Sequence, residues 1–194
     1  MIFQWTLMTK NVYLLEWYGP FLNPQEVIKW ERQEIGTNKT YIYLFKGKQC
    51  GKHKFSYYCG QAFKQSAGKR LTNKGHHIND VICRPNDISI WVAKFQNKVP
   101  TKMDVNLVEK LITSVITQTI IADEKAVLNR TNKLRPRTNL YLINEWYRPT
   151  GEPVMKYNTG SIPSLLPDVL ICHSHNDSAS IYGNKRTQYI NELR

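Results

Sequence analysis

KTYIYLFKGKQCGKHKFSYYCGQAFKQSAGKRLTNKGHH, residues 39–77, carries the densest signal in the chain. It holds two short aromatic strands, Thr40 to Phe45 and Phe55 to Gly60, joined by a turn rich in Gly and Lys. A basic segment with Arg70, His76 and His77 follows. From Ile35 to Asn79 there is no Asp or Glu, against nine Lys or Arg, although the chain has 15 carboxylates. A window of 45 residues without a carboxylate reads as a surface that holds an anion. Tyr41, Tyr43, Tyr57 and Tyr58 interleave with the cations, a combination that suits nucleic acid. Within the window Lys48, Lys52, Lys54, Lys64, Lys69 and Lys74 are candidate nucleic-acid contacts, and beyond it Arg130, Lys133, Arg135 and Arg137. Arg148, Lys185 and Arg186 are further candidates for base readout.

The 194 residues carry a net charge of +12 and a pI near 9.6, so a polyanionic partner is expected. DNA or RNA fits better than a membrane, because no apolar run nears the roughly 20 residues that span a bilayer. No signal peptide is evident at the N-terminus. Cys50, Cys59, Cys83 and Cys172 are widely spaced and read as the reduced thiols of a cytoplasmic protein. A zinc site from Cys50, His53, Cys59 and His76 lacks a CxxC anchor, and Cys172-His173-Ser174-His175 reads first as a polar turn after a strand.

Three segments are expected: an N-terminal extension over 1–36, a core over 37–133 and an accessory segment over 134–194. The extension should hold strand pieces at Phe3 to Met8 and Val12 to Trp17, then a helix from Pro24 to about Glu34. In the core, Tyr41 to Phe45 is apolar at nearly every position, as a strand covered on both faces would be. A helix is expected around 67–79, a third strand over Ile88 to Phe95, and a long helix from about Asp104 to Asp123. On that helix Val108, Leu111, Ile112, Val115, Ile116 and Ile120 share one arc, and Glu109 falls inside it. A carboxylate facing a core needs a cation; a lysine partner and a metal both meet that need. Beyond the core, strands are expected at Asn139 to Trp146 and Val169 to Cys172.

The ordered set Ile42-Tyr43, Tyr58-Cys59-Gly60, Arg70, His76 or His77, Glu109 and Asn129 resembles the GIY-YIG nucleases over about residues 39–133. Tyr41 stands in place of the motif glycine and Cys59 in place of its isoleucine. The resemblance implies an α+β fold, a small three-stranded antiparallel sheet flanked by helices. It implies a one-metal phosphodiester hydrolase using Mg²⁺, with Mn²⁺ substituting. Glu109 would be the metal ligand, Arg70 the phosphate clamp, and Tyr43 the group that orients or deprotonates water. Tyr58, His76, His77 and Asn129 would complete the site. A phenol with its usual pKa near 10 needs a cationic neighbour such as Lys46 or Lys48 for that work. Each residue also has a plainer reading: strand aromatics, a solvated arginine, polar helix-end histidines, a turn asparagine.

A compact chain is most like the restriction endonucleases of that superfamily, which implies double-stranded DNA as partner and a homodimer. A binding module that has lost its chemistry, and a nuclease for RNA or structured DNA, are the competing expectations.

Overall fold

The computed structural model describes residues 11–34, 39–49, 54–81, 87–119, 127–129, 138–154, 161–174, 178–183 and 186–190, with backbone alone at 181, 183 and 186–190. The strand piece expected at Phe3 to Met8 lies outside them, as do Cys50, Lys52, His53, Cys83, Arg130, Lys133, Arg135, Arg137, His175 and Lys185.

The strands are β1 (Val12–Phe21), β2 (Tyr41–Lys48), β3 (Phe55–Ala62), β4 (Ser89–Phe95), β5 (Leu140–Tyr147), β6 (Val169–His173), β7 (Ser178–Gly183) and β8 (Arg186–Ile190). The helices are α1 (Pro24–Gln33), α2 (Ala67–Leu71), α3 (Lys102–Thr119) and α4 (Ile162–Leu165), with a 3-10 turn at His77–Asp80. All strands join one mixed sheet in the order β3-β2-β4-β1-β5-β6-β7-β8. This corrects the expected fold. The strands β3, β2 and β4 are adjacent and antiparallel, but they are one end of an eight-stranded sheet and not a small sheet of their own. The reason is β1. It pairs antiparallel with β4 and parallel with β5, so it sits mid-sheet and carries the ladder onward.

Side-chain alternation makes two cores. On one face Tyr13, Leu15, Trp17, Ile42, Leu44, Tyr57 and Cys59 pack against Val105, Val108, Leu111, Ile112, Val115 and Ile116 of α3. On the other, Tyr41, Tyr43, Phe45, Ile90 and Val92 pack against Val27 and Trp30 of α1, Ala67 and Leu71 of α2, and Ile78. The strand β2 is thus covered on both sides, as its unbroken apolar run requires. A second set of aromatic contacts joins the halves of the sheet: Trp17 stacks on Trp146 at 5.2 Å, and Trp91 meets Trp146 edge-on at 5.1 Å. The Trp17 indole N–H donates to Asn144 Oδ1 (2.8 Å), and Asn144 Nδ2 donates to the Pro167 carbonyl (2.8 Å), all buried.

Helix α1 starts as its sequence dictates. Asn23 Oδ1 accepts from the Glu26 amide, Pro24 opens the helix, and Glu26 reaches back to the Leu22 amide. Helix α3 starts at Lys102, two residues before expectation, because Thr101 and Asp104 cap it reciprocally: Thr101 N–H donates to Asp104 Oδ2 (2.8 Å) and Asp104 N–H to Thr101 Oγ1 (3.2 Å). The helix expected over 67–79 is instead α2, a loop and the 3-10 turn. Asn79 Nδ2 holds that loop through the carbonyls of Asn73 and Lys74.

Candidate active site at the free edge of the sheet

Strand β3 ends the sheet, and the active-site candidates gather along it near Gly60. Tyr43 lies opposite Gly60 in the β2–β3 register. Its ring crosses β3 there: a Cβ on Gly60 would lie 2.5 Å from Tyr43 Cζ and 2.6 Å from its hydroxyl oxygen. Only glycine admits this close approach, so the Tyr43 hydroxyl arrives at the edge of the sheet although Tyr43 itself is buried.

His76, 6% exposed, meets that hydroxyl: Tyr43 Oη and His76 Nε2 are 2.8 Å apart. The other ring nitrogen, Nδ1, accepts from the Ile78 amide at 3.1 Å. An N–H already points at Nδ1, so the neutral ring carries its proton on Nε2 and donates it to Tyr43. Burial, and then the nearby Arg70 and His77, lower the His76 pKa from 6.5 to about 4, which keeps the ring neutral near pH 7. Arg70 hydrogen-bonds to the same Tyr43 hydroxyl from the exposed side. Tyr43 in turn bonds to Tyr58, whose ring stacks over it at 6.2 Å. Burial raises the Tyr43 pKa well above that of a free phenol, outweighing Arg70, so Tyr43 rests protonated.

Glu109 reaches the edge from the opposite layer, on α3. It is 9% exposed, and its partner is the Gln61 carboxamide on β3. Gln61 Nε2 also donates to Asn106 Oδ1 (2.6 Å), while Lys102 Nζ donates to Gln61 Oε1 (2.7 Å). Burial raises the Glu109 pKa; the Gln61 bond, Lys102, Lys110 and Arg70 act against it. A bond to a charged group contributes about 1.5–3 kcal/mol, whereas burying a carboxylate costs several kcal/mol. The balance leaves the Glu109 carboxylate raised above its ordinary pKa, with Gln61 as its hydrogen-bond partner and Lys102, Lys110 and Arg70 near enough to act on it.

A site for Mg²⁺ fits these residues in one respect. Mg²⁺ takes one or two carboxylates and keeps its remaining positions for water and phosphate oxygens. Glu109 offers one such carboxylate, and among the described residues no cluster of three His, Cys, Asp or Glu offers more. Asn129 Nδ2 donates to the Cys59 carbonyl, and its Oδ1 is buried with no partner among the described residues. Glu109 acts on the same Cys59, whose thiol burial pushes well up. A buried amide oxygen without a partner among the described residues is the kind of acceptor that a bound water satisfies.

The structure therefore brings Tyr43, Tyr58, Arg70, His76 and Glu109 into one electrostatic neighbourhood, with Asn129 adjoining. His77 is exposed, faces Asp80 at 3.4 Å and lies against the Tyr58 ring at 5.1 Å. Lys46 is not brought to Tyr43. It projects to the opposite face and stands over Phe55 at 4.4 Å. Lys48 pairs with Asp87 at 3.3 Å. Gln61 and Lys102, which hold Glu109, escaped the sequence reading. Strand alternation from Gly60 places Gln61 on the α3 side, but nothing local says which helix residue waits there. No protein-family model, curated protein or solved structure matches the chain.

Proposed function

We propose that this protein is a metal-dependent phosphodiester hydrolase acting on double-stranded DNA in the cytoplasm, of GIY-YIG type and restriction-like. The observation that carries the reading is the meeting of Tyr43, held by His76, with Arg70 and Glu109 at one sheet edge. The basic net charge supports a polyanionic substrate.

Arg70 clamps the scissile phosphate and stabilises its developing charge. Tyr43 orients the attacking water, its hydroxyl fixed by the neutral His76 Nε2–H and by Arg70. Tyr58 accepts from Tyr43 and keeps the Tyr43 proton directed along the tyrosine pair. Glu109 would hold Mg²⁺, which would supply charge neutralisation at the phosphate when bound. Gln61 binds one Glu109 oxygen, and the other would face the ion. One such site per chain cuts both strands of a duplex as a homodimer.

The same Gln61 bond favours a second reading, because a carboxylate already met by an amide also suits a binding module without chemistry. Incubation of unmethylated DNA with Mg²⁺ separates the two. Wild type should cut, into discrete fragments if it is site-specific. Glu109→Ala and Tyr43→Phe should both bind DNA and lose cleavage by at least about a hundredfold. Intact DNA with a mobility shift from wild type itself would select the binding module, and cleavage that survives Glu109→Ala would remove Glu109 from the metal.

A further inference from the structure

Immediately beyond Gln61 the chain makes a turn whose Phe63 and Lys64 have no role in the Tyr43–Glu109 site. Phe63 is half-buried there against the α3-side core. Two ammonium groups stand off its ring: Lys64 Nζ and Lys102 Nζ each lie 5.5 Å from the ring centroid. That is the long end of a cation–π contact, so the ring itself holds both weakly, and Lys102 Nζ is held in addition by Gln61 Oε1 at 2.7 Å. Among the described residues neither makes an ion pair with a carboxylate. Lys64 adopts a left-handed backbone conformation, with φ of 52°, and its amide donates to Thr40 Oγ1 at 3.2 Å. A lysine in that region costs energy, of order 1 kcal/mol or more, and the turn keeps it, which fixes where the side chain leaves the backbone. Lys102 also holds Gln61, so this turn and Glu109 are parts of one continuous surface.

An aromatic ring flanked by two ammoniums that have no carboxylate partner among the described residues, beside the proposed phosphate site, matches one nucleotide: a base to stack on the ring and phosphates to take the ammoniums. We propose that Phe63, Lys64 and Lys102 form a subsite that stacks an unpaired base of the nucleic-acid strand next to the phosphate held at Arg70 and Glu109. The inference rests on the nuclease reading and narrows it: the strand is opened by one base where it meets the protein.

The test is binding without metal, in EDTA, of DNA oligonucleotides carrying 2-aminopurine at successive positions, single-stranded and in a duplex. Wild type should change the fluorescence of the probe at one or two positions. Phe63→Leu keeps the apolar packing and should abolish that change and weaken single-strand binding about tenfold, within the range for losing one stacked base. Phe63→Tyr should restore both, which loss of packing alone would not predict. Lys64→Gln, at an exposed position, should lower the slope of log affinity against log salt by about 0.7. If wild type binds DNA but Phe63→Leu and Lys64→Gln leave affinity, salt slope and fluorescence as they were, the subsite is refuted and the nuclease reading stands. If wild type binds neither oligonucleotide nor duplex, both fall together.

Discussion

Ile78 sends its side chain into the core, yet its amide hydrogen determines how His76 can work. Protonating His76 would set an N–H against an N–H, and burial adds to the cost. The folded value of about 4 lies below the ordinary 6.5, so the unfolded chain takes the proton first as pH falls. The stabilisation is therefore complete above about 6.5 and is lost progressively toward about 4, by up to roughly 3 kcal/mol. Chemical denaturation of wild type and His76→Gln across that range should show the difference between them shrinking only on the acid side. A gap constant from pH 7 to 4 would disprove the assignment. Gly60 gives the second prediction at this scale. A methyl there meets a ring that is 1% exposed and cannot swing out freely. Gly60→Ala should cut stability by 1–3 kcal/mol, the usual cost of overpacking, and abolish cleavage. Gly75→Ala, with nothing within 4 Å of the added carbon, is the neutral control. The sequence marked Tyr43, Gly60 and His76 but left His76 and His77 equal. Their difference is a backbone hydrogen bond, which no side-chain pattern records.

At the scale of elements, α2 is a five-residue helix carrying Arg70. A single turn is far too short to hold itself. Glu31 on α1 holds it instead, accepting from the Ala67 amide (2.6 Å), the Gly68 amide (3.3 Å) and the Ser66 hydroxyl. A Cβ on Gly68 would lie 2.5 Å from the Ile28 side chain, so the two helices touch along their length. Glu31→Ala should lower stability by about 1–2 kcal/mol, as loss of a helix cap does, and weaken phosphate binding through misplacement of Arg70. Thermal unfolding read beside DNA affinity checks both, and an unchanged affinity would show that α2 needs no tether. The start of α1 was legible because Asn23, Pro24 and Glu26 are adjacent. The bond from Glu31 to α2 spans 35 or more residues, and no local rule reaches that far. The break after α2 was visible only as weakening at Gly75.

For the whole molecule, the extent of the sheet was the part the sequence hid. Residues 12–17 read as a strand piece, but a strand piece does not name its partner, and parallel pairing with β5 spans more than 120 residues. The strands β7 and β8, SASIYG and RTQYI, are too polar to announce themselves. The β1–β5 join that unites the sheet depends on Trp17 and Asn144. Asn144→Leu would leave the Trp17 N–H buried without its acceptor and should cost about 1–3 kcal/mol, lowering the urea midpoint without changing its slope. A two-step transition in that variant would mean the two halves of the sheet unfold separately.

The ring of Tyr43 passes over Gly60 from one layer, and Glu109 comes up to Gln61 from the other. The working groups are thus divided by the thickness of a β-sheet and reunited only at its rim. A phosphodiester that touches both sets is gripped as by the jaws of pliers closing on a wire, with the backbone of β3 as the pivot. Substrate lying flat on either face would meet half of the chemistry. On the proposed function the chain would approach its substrate edge first, across β3 and the short segment bridged to it at Tyr57.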